Sequence, residues 1–174
     1  FNMIDGIDGL LAGLSSVSFA GIGILMWLDE QYTLAYWCFG LLLVLLPYAM
    51  FNLSLFGAKW KVFMGDSGST LIGFTMIWIL LLSTQGQGHA ISPITGLWLI
   101  AVPLIDMVAI IFRRLKKGKS PFRPDRLHIH HLMMRAGLSS RQALAVITLG
   151  AALCATFGIL GEVYYWNQWI MFIC

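Results

Sequence analysis

Apolar runs of similar length alternate with polar gaps along the chain: roughly 10–28, 33–51, 68–82, 94–112 and 142–160, with a sixth beginning near Trp166. Most are about 19 residues, and at ~1.5 Å rise per residue such a run nearly crosses a ~30 Å hydrocarbon core. The pattern predicts an all-α fold, a polytopic integral membrane helical bundle of about five complete transmembrane helices plus a truncated sixth. Residues 1–174 are read as one transmembrane domain whose long polar loops fall at about 1–9, 52–67 and 113–141.

Composition agrees with lipid as the solvent. At 59% hydrophobic and 11% charged, with a mean hydropathy of +0.81, the chain has too few polar residues to cover a soluble globule of this length. Charge then orients the spans. Five spans place the three long loops on one side, and those loops hold all 11 Lys and Arg residues, whereas the opposite connectors carry Asp29, Glu30, His89 and Glu162. Basic loops stay on the cytoplasmic side, so the face bearing the three loops is expected to be cytoplasmic. Cys38, Cys154 and Cys174 all lie in apolar runs without disulfide or metal spacing and read as small buried hydrophobes. Phe1 and Cys174 do not resemble natural termini, and the expectation is an internal piece of a larger membrane protein.

Candidate chemistry is confined to the three loops. In FNMIDGIDGL, Asn2, Asp5 and Asp8 recur every three residues before the first span. If that stretch is helical, they spread over an arc of about 120°, within reach of one bound ligand. Gly6 and Gly9 would let a phosphate or a facing backbone approach. Helix capping needs one such residue, not three in register. In KVFMGDSGST, Asp66 stands between glycines at a helix N-terminus, where it suits a hard cation and where free N–H groups suit a phosphate oxygen. Phe63 is either a membrane-interface anchor or a stacking platform for a base.

The third loop, RRLKKGKSPFRPDRLHIHHLMMRAGLSS, has nine basic residues against the single Asp125, a charge of +8 with His neutral. That charge favours a polyanion. For Arg113, Arg114, Lys116 and Lys117 anionic headgroups suffice. His128, His130 and His131 beside Arg126 exceed what lipid attraction needs and would donate hydrogen bonds to phosphates. As a zinc site the cluster is weak, because on a helix His130 points away from His128 and His131 and no Cys lies nearby. Asp106, inside the fourth run near Pro103, is an intramembrane carboxylate and thus a candidate for function or support, close enough to the loop to meet Arg113 or water. Carboxylates, an amide and a basic His loop on one face suit metal-assisted phosphoryl transfer between a phosphorylated substrate and a lipid.

NMIDGIDGL, FMGDSGS and PDRLHIHH, in this order and spacing, resemble the polyprenyl-phosphate N-acetylhexosamine-1-phosphate transferases over essentially the whole chain. His-Ile-His-His favours the N-acetylglucosamine branch over the muramoyl-pentapeptide branch. The resemblance implies transfer of N-acetylglucosamine 1-phosphate from UDP-N-acetylglucosamine to undecaprenyl phosphate at the bacterial inner membrane, releasing UMP, with Mg²⁺ or Mn²⁺ as cofactor. That reaction starts polysaccharides of the O-antigen and enterobacterial common antigen type. By motif matching, Asn2 and Asp66 would hold the metal, Asp5 would be an essential acid, and Asp8 and Phe63 would contact the uracil. Arg126, His128, His130 and His131 would engage the phosphates and sugar of the donor, and Asp5, Asp8, Asp66 and His128 form the implied catalytic set. The implied partners are the nucleotide sugar, undecaprenyl phosphate and membrane lipid, with no nucleic acid and with oligomeric state left open. The family's paired Asp-Asp motif has no match here, so the 174-residue piece is expected to be inactive alone.

Other classes fit less well. A CDP-alcohol phosphotransferase would show Ala-Arg after the first Asp-Gly, which DGIDGL lacks. A transporter or flippase would place charges near the midplane of several spans, whereas only Asp106 is intramembrane here. A purely structural subunit leaves the three motifs unexplained.

Overall fold

The computed structural model describes residues 6–85, 91–116, 118, 120 and 128–173. Among these there is helix and no strand: α1 (Leu10–Leu28), α2 (Tyr32–Asn52), a 3₁₀ turn (Ala58–Trp60), α3 (Gly65–Gln85), α4 (Pro93–Leu99), α5 (Ala101–Lys116), α6 (Ile129–Arg135), α7 (Ser140–Val163) and α8 (Gln168–Ile173). The chain is a polytopic helical membrane protein. Its α1, α2, α3 and α7 are each long and apolar enough to cross a bilayer, and the bent pair α4–α5 reaches that length and apolarity only when its two helices are taken together.

Helix α1 is the centre of the bundle. Some 67% of its span is buried against 17% for α2, and α1 packs on α2, α3, α4 and α7. Its small residues allow this: Gly13 lies against Thr148, Gly21 against Leu99 and Gly23 against Cys38 and Phe39. Between lipid-immersed helices, where hydrophobic burial gives little drive, such close approach supplies the packing. Around α1 the main core gathers Phe19, Ile22 and Met26 with Ala35, Met76, Ile79, Leu99 and Ala155.

Two expectations change here. The third span begins at Gly65 rather than Gly68, because the polar Gly-Asp-Ser turn is itself helical. The fourth run is not one continuous helix over 94–112, since α4 and α5 meet at Ile100 with a bend of 84°. Pro103 is the cause. Its ring has no N–H to donate to the Leu99 carbonyl four residues back, so Pro103 is tolerated only in the first turn of a new helix. The orphaned Leu99 carbonyl instead accepts a 2.8 Å hydrogen bond from Ser18 Oγ of α1, which also bonds Leu14 O at 3.1 Å.

At the opposite end of the bundle Glu162 of α7 binds the start of α4. Its carboxylate accepts from Ser92 N at 3.1 Å, from Ser92 Oγ at 2.8 Å and from Thr95 Oγ1. Helix α8 docks alongside, with Trp98 Nε1 donating to Met171 O at 3.0 Å.

Candidate active site

A second apolar cluster sits where α1 and α7 reach the face of the basic loops, built from Leu10, Leu14, Ile147 and Ala151. Two side chains from loop motifs insert into its rim: Ile7 from the DGIDG string and Ile129 from HIHH. The apolar residue inside each polar motif is thus an anchor. It fixes the backbone while its neighbours stay free for chemistry.

The described part of the first motif, Gly6–Gly9, is a turn and not a helix, so the helical arc does not extend through Asp8. Gly9 has φ +79°, a left-handed conformation that turns the chain into α1, and Leu10 N closes the turn on Ile7 O at 3.2 Å. Among the described residues no side chain caps the start of α1. Asp8 is consequently released from capping. Asn52, buried at the end of α2, staples the turn to the second loop, accepting from Gly9 N at 2.6 Å and donating to Val62 O at 2.8 Å.

Lys61 completes the staple. Its Nζ lies 2.7 Å from Asp8 Oδ2 and 4.8 Å from the Phe63 ring centroid. Asp8 and Phe63, far apart in the sequence, line one cavity of about 120 Å³ together with Gly6, Tyr48, Asn52 and Met64. Phe63 is 70% exposed and keeps open ring surface for stacking. Asp66 follows in the first turn of α3, exposed, with its carboxylate engaged by no hydrogen bond or ion pair among the described residues.

The histidine loop closes the site from the other side. His128 is not helical but is the extended residue preceding α6, with φ −62° and ψ 152°. This overturns the helical-wheel expectation that His130 points away. Taken out of the helix, His128 stacks nearly parallel to His130 at 5.7 Å, and His131 follows at 4.2 Å from His130. Asp106 holds the arrangement: its Oδ2 is 2.9 Å from His128 Nδ1 and its Oδ1 accepts from Ile129 N at 2.9 Å. Both Asp106 and His128 are buried. The carboxylate of Asp106 therefore meets the His loop. Arg114, expected at the headgroups, is 3% exposed and faces the protein.

His130 is 1% exposed, and neither ring nitrogen has a hydrogen-bond partner among the described residues. Its ring lies so close to Gly6 that a Cβ there would collide with it. Burial, reinforced by His131 and His128 and opposed by Asp106, pushes this imidazole down from 6.5 to about 4. It stays neutral at physiological pH.

Asn2, Asp5 and Arg126 lie outside the described residues. Among the described residues no three His, Cys, Asp or Glu side chains are grouped to hold a metal ion. The unengaged Asp66 carboxylate fits a hard cation that takes one or two protein oxygens and completes its shell with phosphate and water, as Mg²⁺ does. Sequence reasoning passed over Lys61 as a site residue and missed Asn52, although an Asn closing an apolar run was the available signal.

Residues 1–84 match the family described as Glycosyl transferase family 4. The chain is 71% identical over 164 residues, 94% of its length, to the undecaprenyl-phosphate alpha-N-acetylglucosaminyl 1-phosphate transferase of Haemophilus influenzae, of which it covers 46%. It is 70% identical to the protein of the same name from Pasteurella multocida, over 91% of this chain and 45% of that one. To that of Escherichia coli K12 it is 62% identical, over 99% of this chain and 47% of the relative. The chain thus spans about half the length of the curated relatives it matches. No solved structure matches it. In the residues matched and in the length shared with these transferases, the chain is similar to glycosyl transferase family 4.

Proposed function

We propose that this chain is the part of a membrane transferase that binds a UDP-N-acetylhexosamine and moves its sugar 1-phosphate to undecaprenyl phosphate, releasing UMP. The reading is supported above all by one turn, Gly6–Gly9, which Asn52 and Lys61 tie to the second motif and which lies against His130 of the third. Three motifs far apart in sequence thereby surround one place at the basic face. The relatives' name supplies N-acetylglucosamine as sugar and undecaprenyl phosphate as acceptor.

In the reaction an oxygen of the lipid phosphate attacks the phosphorus that carries the sugar. A new P–O bond forms, the bond from that phosphorus to the bridging oxygen breaks, and UMP departs with the electron pair. The dianionic acceptor is already a nucleophile, so a direct displacement needs no covalent Asp5 intermediate. The protein's task is to hold both phosphates in line against their repulsion. Asp8 and Phe63 would seat the uracil, while His128, fixed by Asp106, would present its ring to the phosphates with His131 and Arg126. Asp66 and Asn2 would hold Mg²⁺, or Mn²⁺, which when bound neutralises charge on the diphosphate. The basic face would lie at the cytoplasmic side of the inner membrane, where nucleotide sugars are found.

The test is UMP release from UDP-N-acetylglucosamine in a chain of the relatives' full length. Release should require undecaprenyl phosphate and a divalent cation and fall at least ~100-fold in Asp66→Asn, the scale on which loss of a charge-stabilising group slows a reaction. Equal turnover by that variant with unchanged Mg²⁺ dependence would remove Asp66 from the metal role. Release only with a UDP-muramoyl-pentapeptide donor would move the chain to the neighbouring branch.

A further inference from the structure

We infer that Lys61 is a specificity-determining residue, which reads a pyrimidine carbonyl beside Asp8 and so makes the cavity of about 120 Å³ selective for uracil over cytosine. This rests on the reading of that cavity as the seat of the donor's base.

Asp8 alone is a poor reader. A carboxylate accepts hydrogen bonds and could take the N3–H of uracil or the exocyclic amine of cytosine with equal ease. The Lys61 ammonium, 2.7 Å from Asp8 Oδ2, adds a donor immediately beside that acceptor. Among the described residues Asp8 Oδ1 is left without a partner. An acceptor next to a donor matches uracil through N3–H and an adjacent carbonyl oxygen. Cytosine satisfies the same pair only when displaced by one ring position, with its amine on Asp8 and its bare N3 on Lys61.

Stacking makes that displacement costly. The Phe63 ring lines the same cavity as Asp8, and Lys61 Nζ is 4.8 Å from its centroid. A base lying on Phe63 with its edge at Asp8 and Lys61 is therefore fixed in two directions. Asn52 holds Val62 and Gly9 together, so the distance from Asp8 to the Lys61–Phe63 segment is set by the bundle and not by a loose loop.

An ordinary surface ion pair is the competing explanation, since partly exposed pairs contribute little to stability. Selectivity separates the two. In the full-length chain in detergent, binding of UMP, CMP and N3-methyl-UMP is measured by calorimetry for the parent, Lys61→Met and Lys61→Arg. The parent should prefer UMP to both analogues by about 10-fold or more, the scale of one hydrogen bond to a charged group. Lys61→Met should weaken UMP about 10-fold on the same ground, leave CMP nearly unchanged and lose the discrimination, while Lys61→Arg restores most of it. Unchanged melting temperature in Lys61→Met keeps a folding defect out of the comparison. UMP binding and selectivity equal to the parent in Lys61→Met would overturn the role of Lys61. A parent chain that binds UMP no better than CMP would instead overturn the uridine reading of the cavity, and the inference with it.

Discussion

Asp106 shows how a single side chain acquires its role from what it touches. Buried in an apolar helix, a carboxylate is costly unless its oxygens are satisfied, and here one meets the His128 ring while the other takes the Ile129 N–H. Replacement by Leu would strand both buried donors. The expected cost is about 1–3 kcal/mol for each stranded group, read as a lowered melting temperature in detergent. A variant as stable as the parent would mean that the His loop is held by other contacts. His130 gives a pH signature. Its native value of about 4 lies below the ordinary 6.5, so the unfolded chain takes up the proton first. Stability is full above about 6.5 and is lost progressively as pH falls toward about 4. His130→Gln should flatten melting temperature against pH in that window; an identical slope would place the titration elsewhere. At this scale the sequence showed which residue types mattered but not their partners. Asp106 and His128 are 22 positions apart, and only the fold reveals that they meet.

Among the elements, the break between α4 and α5 carries the same lesson with a different cause. Hydropathy sees one apolar run, because it weighs side chains and is blind to a missing backbone donor. Pro103 was visible as a residue, yet its consequence needed a partner for the Leu99 carbonyl, which Ser18 supplies from another helix. The two are coupled. Ser18→Ala should destabilise by about 1 kcal/mol, the usual net value of one hydrogen bond. In a Pro103→Ala background, where the replacement restores a backbone N–H able to donate to the Leu99 carbonyl, that cost should shrink toward zero. Additive losses in the double variant would show that Ser18 acts through packing alone. The His loop follows similar logic, since Ile129 seats it on α1 and α7. Its helix therefore starts one residue later than a wheel through all three histidines assumes.

The whole molecule is legible in outline from its sequence because lipid imposes one demand, that spans be apolar and helical, and charge imposes another, that basic loops share a side. Span number and the common face of the three loops follow from those two. What joins the loops into a site does not. Asn52, Lys61 and Asp106 are each single polar residues whose meaning comes from long-range contacts. The central claim is that the three motifs form one donor-handling site at one face. Hydrogen–deuterium exchange of the full-length chain, with and without UDP-N-acetylglucosamine and Mg²⁺, tests it most directly. The account predicts that the donor slows exchange together at residues 6–9, 58–66 and 128–135 and leaves the opposite connectors at 29–31 and 164–167 unchanged. Protection of one loop alone, or of the opposite face, would contradict it.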